Sequence, residues 1–184
     1  MRILLLASRP EDAQAIEASL LDEGHTVASC RDTDGSPCRG LHHHQWCPLE
    51  SSVDVAVIAR GHGVEPTLAE MGAICAARHR VGVIRLDPTN PRTDELYDMA
   101  DMAERSVCAA YEASVRLHLA HAVPAGAEPV VTVTRQDEDV HVSLLLDHEV
   151  DAGLAGVMAD RARAGVRDYD PYARVLDVVI VQPR

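Results

Sequence analysis

The chain has 184 residues, enough for one domain or two small ones, and a formal charge of -12. That charge argues against a general nucleic-acid binder, which needs a basic face to displace counterions. All 17 basic residues are arginine, so there can be no Schiff-base lysine, no pyridoxal phosphate anchored through one and no Walker-type phosphate loop.

Arg2–Ala7 is a short apolar run suited to a buried strand. Ser8, with Pro10 and Glu11 three residues on, has the spacing of a capping box opening a helix. Ala13, Ile16 and Leu20 recur at helical spacing, and Gly24 sits where that helix would stop. Thr26–Ser29 reads as a second strand, Val53–Ala59 as a third and Val81–Leu86 as a fourth. Between the last two, Pro66–Arg78 predicts a helix with Leu68, Met71 and Cys75 on its inward stripe. Strands alternating with helices imply a parallel sheet with right-handed crossovers.

Asp87–Arg92, with two prolines, reads as a linker. Ala100–His121 predicts a long helix presenting Cys108, Tyr111, Val115 and Leu119 on one face. Val130–Thr134 and Val140–Leu146 alternate like strands around a polar turn at Gln136–Asp139. Leu154, Val157, Met158 and Ala162 mark another helix, and Val175–Val181 a closing strand. The fold class is therefore α/β: a parallel sheet with helices over 1–90, then a small α+β domain of order α-β-β-α-β over 96–184.

The pattern breaks only at 30–52, inside the first domain, where a crossover helix is expected. This insertion holds Cys30, Cys38 and Cys47, separated by seven and eight residues, and the run His42, His43, His44. A loop this long needs something to order it. Thiolates bind zinc well, and a metal would supply the missing order; Pro48 after Cys47 also suits an iron–sulfur ligand. Gly35, Pro37 and Gly40 allow the necessary turns. The fourth ligand is Cys75, from the helix after the third strand, or one of the three histidines. The alternatives are thiol redox chemistry, labile metal binding by the histidines, or a plain surface loop.

A second candidate is the turn Arg60-Gly61-His62-Gly63 after the third strand. Ligands of doubly wound sheets bind beyond the strand ends. Arg60, Gly61 and Gly63 could thus hold a nucleotide or another small molecule, although GHGVEP lacks a third glycine of the dinucleotide fingerprint. Arg161, Arg163 and Arg167 suit the C-terminal dipole of their helix.

The segments ILLLAS, EGHTV and VDVAVIA resemble the start of a response-regulator receiver domain. That resemblance implies a flavodoxin-like scaffold without phosphotransfer. Ser8 and Arg9 stand where receivers carry acids, Ala59 and Arg60 where the phosphorylated aspartate would be, and the receiver lysine is missing. The second half, closing on ARVLDVVIV, resembles the alkaline-shock protein family, though without its glycine-valine signature. This implies a non-enzymatic, stress- or envelope-associated role.

No run of about 18 apolar residues occurs, so no membrane span is expected, and Met1–Ala7 followed by Glu11 and Asp12 does not read as a signal peptide. The expected compartment is the cytoplasm, where cysteines stay as thiols or ligands. Together these features predict a non-catalytic metal-binding regulatory, sensing or assembly protein with a protein partner or a second copy. A small-molecule-binding enzyme using the Arg60–Gly63 turn and a metal-free interaction protein are the alternatives.

Overall fold

The computed structural model describes residues 1–31, 38, 46–123, 126, 128–136, 139–173 and 176–183. Two compact units emerge, Met1–Arg105 and Ser106–Arg184.

In the first unit, β1 (Arg2–Ala7), β2 (Thr26–Ser29), β3 (Val55–Ala59) and β4 (Gly82–Leu86) form an all-parallel sheet of order β2-β1-β3-β4. A parallel sheet covered on both faces needs strands that are apolar throughout, and β1 is buried from Ile3 to Ala7. Odd-numbered β1 residues Ile3, Leu5 and Ala7 join Val55, Val57 and Ala59 on one face. Ile16 and Leu20 of α1 (Pro10–Asp22) pack there, with Leu96. Leu4, Leu6 and Ala56 form the other face, covered by Leu49 and by Ala76 of α2 (Gly72–Arg78). Helices on opposite faces make the sheet doubly wound. From β1 the chain moves outward to β2 on one side and then to β3 on the other. The connections therefore diverge at the carboxyl ends of β1 and β3, where such folds hold ligands.

Two local expectations need correction. α1 is not opened by a capping box: its N-cap is Arg9, without a side-chain cap, and Ser8 lies one residue further out. The helix predicted over Pro66–Arg78 is a 3-10 turn at Leu68–Glu70 followed by α2. Tighter 3-10 winding rotates the stripe, so Glu70, Gly72 and Ala76 face inward while Leu68 is 75% exposed.

The helix α3 (Leu96–Leu119) begins earlier than predicted, after a 3-10 turn at Thr93–Glu95. Within the second unit come β5 (Val130–Gln136), β6 (Asp139–Leu145), α4 (Ala152–Tyr169) and β7 (Leu176–Val181), in the expected order. The sheet has order β5-β6-β7, antiparallel then parallel. Its alternation buries Val131, Val133, Val140, Val142 and Leu144 against Tyr111, Val115 and Leu119 of α3 and Met158, Ala162 and Val166 of α4. The Gln136–Asp139 ends pair as a hairpin requires; residues 137 and 138 lie outside the described residues. Among the described residues no helix is long and apolar enough to cross a membrane.

Candidate functional site

The β1/β3 divergence is lined by polar side chains from three segments distant in sequence. Ser8 follows β1 directly. Its hydroxyl accepts from the backbone N–H of Thr67 at 2.9 Å and donates to Glu70 Oε1 at 2.7 Å. Glu70 is only 6% exposed. Its other oxygen, Oε2, lies 3.3 Å from Nη1 of Arg60, the residue after β3. A carboxylate taken this far from water needs a cation and a hydrogen-bond donor, and here it has one of each. The arginine is less fully matched, because its Nε is buried with no acceptor among the described residues. The 3-10 turn carrying Glu70 is capped by Thr67, whose hydroxyl accepts from Ala69 N at 3.3 Å.

The turn after β3 is fixed from its neighbour strand. Arg85 of β4 donates from Nε to the carbonyl of Arg60 at 3.0 Å and from Nη2 to that of Gly61 at 2.8 Å. Gly63 has φ +73°, a conformation that favours glycine. A Cβ on Gly61 would make only ordinary contacts, the nearest being Val64 Cγ2 at 3.6 Å. Arg9 reaches towards this turn from β1, with Nη2 3.9 Å from that Cβ position. The Arg9 guanidinium is itself held by Asp12, at 2.9 and 2.8 Å. After β4, the N–H and hydroxyl of Thr89 donate to Asp87 Oδ1 at 2.9 and 2.8 Å, holding that carboxyl below its usual range. Arg85 and the His62 backbone act in the same direction.

The sequence thus locates Arg60, Gly61 and Gly63 in the turn but misses Ser8, Thr67, Glu70 and Arg85. The acid in the stretch LAEMGA was a usable clue, since a glutamate on an inward face needs a partner. Chemically the cluster is a set of hydrogen-bond donors around a carboxylate. Ser8 donates to the Glu70 carboxylate, whose other oxygen faces Arg60.

The predicted metal ligands fall elsewhere in the same unit. Cys30, at the end of β2, is buried beside α2, with Sγ 3.0 Å from where a Cβ on Gly72 would sit. Cys47, before the 3-10 turn Pro48–Glu50, and Cys75, on α2, pack against the same apolar cluster as Cys30. Three of the four candidate cysteines therefore converge on one face of the sheet. Cys38 is half-buried, and no disulfide joins any of the five cysteines. His42, His43 and His44 lie outside the described residues. Among the described residues, no three His, Cys, Asp or Glu side chains form a group that could hold a metal ion. Cys108, half-buried, lies on α3.

No protein-family model matches the chain, and no curated protein or solved structure matches it significantly.

Proposed function

We propose that the chain is a non-catalytic regulatory or sensing protein whose N-terminal unit binds a small ligand at the carboxyl ends of β1 and β3. The observation that carries this reading is the Ser8–Glu70–Arg60 network, built around the buried Glu70 carboxylate at the point where the sheet's connections diverge. Buried polar groups are costly to assemble, and this cluster occupies the position from which doubly wound sheets address ligands. The test is a thermal-shift screen of nucleotides and small polar metabolites on the full chain. A ligand at 100 times its Kd adds about 2.7 kcal/mol to the state that binds it. The expected result is a stabilising compound whose effect is lost in Arg60→Gln. No stabilising compound, or one indifferent to that substitution, overturns the reading.

One observation favours a metal-dependent role as a second reading: Cys30, Cys47 and Cys75, from three separate segments, share one apolar cluster. Zinc, or an iron–sulfur cluster, would draw its remaining ligand from Cys38 or the histidine run. Elemental analysis of anaerobically purified protein tests this, with stoichiometric zinc or iron expected. Metal-free protein whose stability ignores both chelator and added zinc removes the reading.

A further inference from the structure

We propose that Glu70 is a built-in competitor occupying an anion site formed by Ser8 and Arg60, so that a ligand's phosphate or carboxylate group enters by displacing it. This rests on the ligand-binding reading of the same site. The donors outnumber what Glu70 satisfies. The Ser8 hydroxyl serves one carboxylate oxygen and Arg60 Nη1 the other, while the buried Arg60 Nε has no acceptor among the described residues. An exchanged anion keeps the charge balance against Arg60, and a phosphate offers further oxygens to the remaining N–H. Guanidinium groups suit such anions because several N–H donors point the same way.

The segment carrying Glu70 is a short turn leading into α2. Glu70 ends a three-residue 3-10 turn rather than sitting inside a long helix, and Leu68 in that turn is 75% exposed. The turn's tie to β1 runs through the Ser8 hydroxyl, which meets both Thr67 N and Glu70. Displacing the carboxylate would remove one of the two Ser8 bonds that tie Leu68–Glu70 to the carboxyl end of β1, coupling ligand entry to movement of an exposed apolar residue.

The experiment compares wild type, Glu70→Ala, Glu70→Gln and the double variant Glu70→Ala/Arg60→Gln. Each is titrated with sodium phosphate and, separately, sodium acetate, against sodium chloride at matched ionic strength to remove general screening. Calorimetry and the melting temperature are the readouts. Removing the competitor should tighten phosphate binding by about tenfold or more, and either anion should raise the melting temperature of Glu70→Ala above its chloride control. The double variant should lose both effects. Preference for phosphate over acetate, or the reverse, identifies the ligand group. Glu70→Gln, which keeps a hydrogen-bond acceptor for Ser8 but no charge, should gain affinity in the same direction and serves if Glu70→Ala does not fold. Equal anion responses in wild type and both Glu70 variants, or a gain that survives loss of Arg60, overturn the proposal. A wild-type ligand that needs Arg60, with no anion gain in the variants, overturns this inference alone and leaves the binding reading standing.

Discussion

The substitution Tyr111→Phe removes one oxygen from the centre of the second unit and should be disproportionately costly. Tyr111 is fully buried on α3, and its hydroxyl donates to Asp170 Oδ2 at 2.5 Å. Asp170 caps the end of α4 and is itself buried. Its other oxygen accepts from Tyr172 N at 3.0 Å. The Tyr169 ring meets Tyr111 edge-on at 4.7 Å, and the Arg135 guanidinium lies 5.9 Å from the Tyr111 ring centre. Phenylalanine preserves this packing and deletes only the donor. A hydrogen bond to a charged group contributes more than a neutral one, and the abandoned oxygen stays buried, so the loss should be about 2 kcal/mol. For a unit of this size that corresponds to roughly 8–16 °C in Tm.

The assay is urea unfolding of the full chain, with amide exchange along β5 and β6 isolating the second unit. Trp46 reports only on the first unit. Alkaline pH supplies an independent arm. Burial, then the hydrogen bond and the charge of Asp170, push the Tyr111 phenol well above its ordinary value. In the unfolded chain that phenol ionises near pH 10. Above that pH the unfolded state loses a proton that the folded state still holds, so stability falls as pH rises. Tyr111→Phe has no such proton, and the gap between wild type and variant should shrink from about pH 9 to pH 11. A loss below about 0.5 kcal/mol, or a gap that widens with pH, would refute the assignment of this pair as a stabilising contact.

Three further substitutions test the packing and the turn. Gly165→Ala would place a Cβ 2.8 Å from Val115 Cα and 3.0 Å from the Ser114 carbonyl, both backbone atoms. α3 and α4 must then separate, at about 1–3 kcal/mol, read as a lower urea midpoint. Asp151→Ala removes the acceptor for Leu154 N at 2.8 Å and should cost about 1 kcal/mol, with the first turn of α4 exchanging its amides faster. Arg85→Met deletes the donors to the Arg60 and Gly61 carbonyls. It should cost about 1 kcal/mol and speed amide exchange at His62 and Gly63, while leaving β5–β7 unchanged.

What the sequence revealed followed from burial. β1 matches its predicted bounds because a strand apolar on both faces ends where its cover ends, β2 matches although it is only partly covered, and Ile16 and Leu20 carry α1 by simple periodicity. The Leu68–Met71–Cys75 stripe misled because periodicity assumes 3.6 residues per turn, and a 3-10 turn breaks that phase. The inward position of Glu70 depends on Ser8, 62 residues away, and on Arg60. No local window contains such a pairing. The cysteines were intermediate. Their spacing flagged the insertion, but only the cover of one sheet face shows Cys30, Cys47 and Cys75 sharing surroundings.

Ser8 unites these threads. By local rules it should cap α1, since the sequence supplies the hydroxyl and the glutamate three residues on. Instead its oxygen is committed to Thr67 and Glu70, and the helix begins at Pro10, its N-cap Arg9 giving no side-chain cap. That choice forgoes a contact whose typical contribution is about 1 kcal/mol. It also stabilises a carboxylate that would be costly to bury unaided. Sequences normally satisfy local and global preferences together, and departures concentrate where a protein must hold a particular arrangement of polar groups. In this unit the departure falls at the β1/β3 divergence, the position that topology alone marks for ligands. The broken helix rule and the sheet order are separate observations, one drawn from a single side chain and the other from strand connectivity. Their agreement on one place is why Arg60, Ser8 and Glu70 are the first residues to substitute.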